Sequence, residues 1–167
     1  RKKDSVNLCL RITETEAYIG MIDKACHAYK GKRTPRTESL FLEGGHAYVY
    51  LIYGMYYCLN VVTEPKDIPC AVLIRGAELV CHSDSDILSF LRYKKSYNEL
   101  SKYQLKNFAN GPGKLCKALD ITKKFDKISL VSDDLYISEG DPVDVSLIKT
   151  GKRINIDYSQ EAVDFPC

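Results

Sequence analysis

The sequence predicts an α+β fold, a curved, mostly antiparallel β-sheet flanked by α-helices, formed as a single domain over residues 1–167. Three observations predict it. Leu8 to Tyr18 alternates apolar and polar residues with a period of two. The apolar run from His46 to Val62 is too long to be one strand, and the stretch from Ser83 to Leu119 carries apolar residues at helical spacing, broken by a glycine turn.

The first strand holds the most informative residues. Its alternation puts Leu8, Leu10, Ile12, Glu14, Glu16 and Tyr18 on one face, so two carboxylates continue a face that begins as core. Either the strand surfaces after Ile12 and both acids are solvated, or they are buried with a partner or a task, because an unpaired buried carboxylate costs several kcal/mol. Gly20 ends the strand. Met21 to Pro35 reads as a loop bearing Cys26-His27 and the basic segment Lys30 to Arg36, where a histidine is a surface residue or a site residue.

After the Gly44-Gly45 turn, the seventeen residues His46–Val62 would span ~58 Å as one strand. A compact chain of this length has a radius of gyration of only ~15 Å. The run must fold back, and Gly54 marks the place, so a hairpin about Tyr53-Gly54-Met55 is expected. Tyr53 then sits at a tip, either as an exposed wedge of the kind that enters a base stack or packed over a barrel corner. Asn60 interrupts the second arm and needs hydrogen-bond partners or a ligand. Cys70–Arg75 reads as a buried strand whose arginine, on the Ala71/Leu73 face, seeks Glu14 or Glu16.

Ser83 or Ser85 is placed to cap a helix through Leu91, and a second helix is expected over about Asn98–Asn110. Gly111-Pro112-Gly113-Lys114 then leads into a helix holding Leu115, Ala118 and Leu119; it is an ordinary connection or an anion-binding helix start. From Ile128 the pattern reads as short strands, Ile128–Val131, Leu135–Ser138, Val143–Ile148 and Ile154–Tyr158.

The chain's 167 residues, 45% of them hydrophobic, suffice for a sizeable core. No apolar run free of charge and glycine approaches the ~18 residues of a membrane helix, and no leader pattern opens the sequence. Seven scattered cysteines without a C-x-x-C pair suggest neither a disulfide framework nor a zinc site, and an intracellular setting (cytoplasm, nucleoid or nucleus) with mostly buried thiols is expected. A net charge of +2 does not announce a polyanion partner. Bases do cluster at Lys30–Arg36 and Arg92–Lys117, while acids outnumber them after Leu119, which fits one basic and one acidic face or two ordinary solvated ones.

Taken together, TETEAYIG, Cys26-His27, KRTPR, YVYLIYGMYYCLN, CAVLIRGAE and NGPGKLCKAL closely resemble the alkyladenine (3-methyladenine, methylpurine) DNA glycosylase family, from about Leu10 to Leu119 and more weakly to Phe165. The resemblance implies an open-barrel-like sheet and hydrolytic removal of damaged purines from duplex DNA. Under it Glu16 activates water, with Arg75 holding water and carboxylate; Tyr18, His27 and Tyr50 sandwich the flipped base; and Asn60 opposes the amino group of guanine. Tyr53 fills the hole in the stack, and Thr34, Arg36 and Lys114 fall in phosphate-contacting segments. It implies no metal or cofactor, double-stranded DNA with damaged purines as partner, no membrane, and a monomer. Family members carry more chain at both ends, so edge segments are expected to be missing here. Two other readings stay open: a damage-binding protein without catalysis, and a sugar hydrolase with Glu14 and Glu16 as its acid pair, ~7 Å apart on one face.

Overall fold

The computed structural model describes residues 1–3 and 5–165, so Cys167 lies outside the described residues. A two-residue ribbon pairs β1 (Lys2–Lys3) with β2 (Val6–Asn7). The main sheet is antiparallel and open, in the order β3-β6-β5-β4, from β3 (Leu10–Tyr18), β4 (Ala47–Ile52), β5 (Tyr56–Val62) and β6 (Ala71–Leu79). Its edges are β3 and β4, which do not close into a barrel. The helices are α1 (Ser85–Tyr93), α2 (Lys102–Lys106) and α3 (Pro112–Ala118).

Alternation along each strand divides the side chains between two cores. Ala47 and Val49 of β4, Leu59 of β5 and Ile74 of β6 meet the helical leucines Leu88 and Leu115 on one face. Tyr48, Val62 and Ala71 turn to the other and pack against Cys26, Ala28, Leu40 and Phe41. This second face carries the cavity described below.

The long apolar run folds back where expected. Ile52 pairs with Tyr56 across Tyr53-Gly54-Met55, and the Met55 N–H donates to the Ile52 carbonyl at 3.2 Å. Both Tyr53 (φ 53°) and Gly54 (φ 66°) are left-handed. A bulky residue there costs ~1–2 kcal/mol, which glycine would avoid. The strain holds a tyrosine ring, 76% exposed, at the hairpin tip.

Several expectations are corrected. Ile12 is exposed, not core, because β3 lies at the sheet edge and is open on both faces from Arg11 to Thr15. Neither serine caps α1: the Ser85 hydroxyl donates to the His82 carbonyl and that of Ser83 to Asp84. The expected second helix shrinks to the 3₁₀ turn Tyr97–Glu99 and the short α2, begun by a Ser101/Gln104 capping box. No ladder forms after residue 128 among the described residues. Isolated bridges join His46 to Ser129 and Val131 to Tyr136, while Val145–Leu147 and Asp157–Asp164 are 3₁₀ turns. Residues 127–130 do bond to Gly45 and Ala47 beside β4, and the Ile137 N–H donates to the Leu130 carbonyl, but the pairing extends no further than these bridges. Of the six described cysteines, all free, only Cys26, Cys58 and Cys116 are buried.

Gly113 shows how tightly α3 is set on the sheet. A Cβ there would lie 2.9 Å from the Cβ and ring of Tyr56. Glycine to alanine in a helix ordinarily gains about 1 kcal/mol. Here the overpacking should win: Gly113→Ala is expected to lower stability by ~1–3 kcal/mol, read from the denaturant midpoint. An unchanged or raised midpoint would mean that α3 can ride away from β5 freely.

Candidate active site

One face of the sheet supplies most of a cavity of about 550 Å³. The period of two aligns its residues: Glu16 and Tyr18 on β3, Leu73 and Arg75 on β6, Tyr56, Cys58 and Asn60 on β5, Tyr48, Tyr50 and Ile52 on β4. The loop after β3 adds His27, the start of α3 adds Lys114, and residues 154–156 with Tyr158 close another side. This volume is within the ~300–1,000 Å³ of ligand pockets.

Glu16 is 5% exposed and receives three polar contacts. The Tyr18 hydroxyl donates to Oε2 at 2.9 Å, and the Ile154 backbone N–H donates to Oε1 at 2.8 Å. The Arg75 guanidinium lies 3.3 Å from Oε1. Arg75 also bonds Glu14 at 2.9 Å, but Glu14 is exposed and does not line the cavity. The expected sharing of one face by both acids is therefore corrected. Strand pairing is irregular on both sides of Glu14, which sits opposite Gly76, and this breaks the alternation between the two glutamates. Of the two acids bonded by Arg75, only Glu16 lines the cavity, so a sugar hydrolase's acid pair has no shared pocket there.

Three rings make the aromatic wall. His27 and Tyr50 meet edge to face with centroids 4.7 Å apart, and Tyr48 lies 5.2 Å from Tyr50. Burial pushes the phenols of Tyr18 and Tyr50 up, so they stay neutral donors. The His27 ring is pulled down to about 4, first by burial and then by the positive charges of Arg36 and Lys32. A neutral imidazole does not repel a cationic ligand.

That shift gives a measurable pH dependence. Between the ordinary 6.5 and about 4 the unfolded chain binds a proton that folded His27 refuses, so the stability gained is intact above 6.5 and is lost as pH falls through this window. The melting temperature of His27→Gln should therefore drop less between pH 7 and 4.5 than that of the parent. Parallel drops would place the titration elsewhere.

Asn60, 3% exposed, donates from Nδ2 to the Tyr48 carbonyl at 3.1 Å, which answers its need for a partner. Tyr53 and Lys114 also line the cavity, the lysine held at 2.8 Å by the side-chain carbonyls of Asn107 and Asn110. Thr34 and Arg36 do not line it. Thr34 is bonded within its own turn to Thr37, and the exposed Arg36 guanidinium lies 5.5 Å from the Tyr50 ring centroid.

Tyr48 and Arg153 escape the sequence reading. Tyr48 is buried, and its hydroxyl meets His27 Nδ1 at 2.8 Å; its place two residues before Tyr50, on the same strand face, was the signal that could have found it. Arg153, just before the segment that reads as a strand, gives no such signal. No group of His, Cys, Asp or Glu able to hold a metal occurs among the described residues, and no helix there is long and apolar enough to cross a membrane.

A family profile described as methylpurine-DNA glycosylase (MPG) matches residues 1–166. A protein of Clostridioides difficile (strain 630) is 51% identical, covering 99% of this chain and 85% of its own length. One from Clostridium perfringens (strain 13 / Type A) is 52% identical over 99% and 80%, and one from Desulfitobacterium hafniense (strain Y51) 48% identical over 93% and 75%. All three bear the name "Putative 3-methyladenine DNA glycosylase". With a profile match across nearly its whole length and relatives at about half identity, the chain belongs to the methylpurine-DNA glycosylase family, hydrolases that cut the N-glycosidic bonds of alkylated bases in DNA.

Proposed function

We propose that residues 1–167 act as one glycosylase domain that turns a damaged purine such as 3-methyladenine out of duplex DNA and hydrolyses its glycosidic bond with water, leaving an abasic site in an uncut strand. The observation that carries this reading is the buried carboxylate of Glu16 in a cavity walled by Tyr18, His27 and Tyr50 and touched by Arg75. A base within a duplex is unreachable, so it leaves the stack and is held between aromatic faces. Alkylation at N3 or N7 makes the purine cationic, which favours both π-faces and departure. As the bond breaks, an oxocarbenium-like sugar develops; Glu16 stabilises it and takes a proton from the attacking water, and Arg75 holds that water and the carboxylate.

The remaining roles follow the same logic. Tyr53 fills the space vacated in the stack, and Asn60 crowds the exocyclic amino group that distinguishes normal guanine. Thr34, Arg36 and Lys114 contact phosphates. The test is incubation with duplexes bearing 3-methyladenine, hypoxanthine or 1,N6-ethenoadenine, followed by alkali. Strand breaks at the lesion are expected for at least one of them. Lesion binding without breaks from a folded protein would replace the enzyme with a damage-binding protein.

A further inference from the structure

Outside the cavity lies a fully buried ion pair that the proposed chemistry does not use. Asp23, in the loop after β3, and Arg153 have side chains 0% and 1% exposed, and they meet at 2.5 Å (Nη1–Oδ2) and 3.0 Å (Nη2–Oδ1). The guanidinium also donates to the Ala17 carbonyl at 3.1 Å and the Ala162 carbonyl at 2.8 Å, and it lies 4.8 Å from the Tyr18 ring centroid. The carboxylate in turn accepts from the Ile19 and Ala25 N–H groups. One buried contact thus joins the end of β3, the loop that brings His27, and the segment whose next residue, Ile154, donates its N–H to Glu16.

From this geometry we infer that Asp23 and Arg153 form a positioning pair for catalysis: they seat the 153–162 segment so that the Ile154 N–H aligns the Glu16 carboxylate while the guanidinium backs the Tyr18 ring. The inference rests on the proposed role of Glu16. A planar guanidinium suits the task, since its fork grips a carboxylate with two bonds and leaves further N–H groups for carbonyls. Hydrophobic residues would fill the same space at less desolvation cost, so pure stability does not call for this pair. At the surface the same segment is tied to the loop after β3 by Lys24, which bonds Gln160 and, at 2.7 Å, Glu161.

The test uses the whole chain. Asp23→Asn/Arg153→Met removes both charges together and so leaves neither buried alone. Ile154→Pro removes the N–H that Glu16 accepts while keeping both charges of the pair, at a residue that is half exposed. Both are compared with the parent in single-turnover base release and in binding to a lesion duplex, with a melting curve to show folding. The expected result for each is a single-turnover rate at least tenfold lower with lesion binding within threefold. A single-turnover rate within tenfold of the parent's in either folded variant overturns the inference, as does loss of binding in step with that rate. Where the double variant melts below the assay temperature, Ile154→Pro decides alone. A parent that releases no base overturns the functional reading itself, a result separate from a working parent with unaffected variants.

Discussion

Glu16→Gln should fold, bind lesion-bearing DNA and release its base ~10²–10⁴-fold more slowly than the parent, the range that a positioned acid–base group contributes. The replacement is nearly isosteric, and its carbonyl oxygen can still accept a bond from the Ile154 N–H. What disappears is the negative charge. Without it neither the developing oxocarbenium nor the proton of the attacking water has a counterpart in the cavity, since Glu14 faces outward. Single-turnover release of 3-methyladenine measures the effect, and a loss smaller than tenfold would remove Glu16 from the chemistry.

Tyr53→Ala acts on the other half of the reaction. Stacking of a base on an aromatic ring is worth ~1–3 kcal/mol, so lesion affinity should fall ~5–150-fold. The hairpin itself should not suffer, because the tyrosine is left-handed and exposed and alanine relieves none of its packing. The rate of bond cleavage in a saturated complex should change less than the affinity. Equal affinities in a fluorescence titration would show that the ring does not enter the helix.

How much of this was legible in the sequence depends on the range of the interactions that decide each feature. The fold-back at Gly54 followed from chain length alone, and the cavity face from the period of two along the strands. Arg75 was correctly sought beside the glutamates. Separating Glu14 from Glu16 was out of reach, because the irregularity between them depends on Gly76 of another strand. The stretch after residue 128 failed for a related reason: its valines and isoleucines have strand character, but among the described residues pairing stops at isolated bridges, and pattern cannot reveal where a neighbouring strand ends. Arg153 was invisible because its meaning lies in Asp23, 130 residues away.

That separation bears on how the molecule assembles. Glu16 is synthesised before the amide that completes its surroundings, which follows 138 positions later. Closing so long a loop adds little to the equilibrium cost, since each doubling of length costs only ~0.6 kcal/mol, yet distant pairings are slow to form. A nascent chain therefore carries this acid without its final backbone partner until residue 154 has followed and the 153–162 segment has seated.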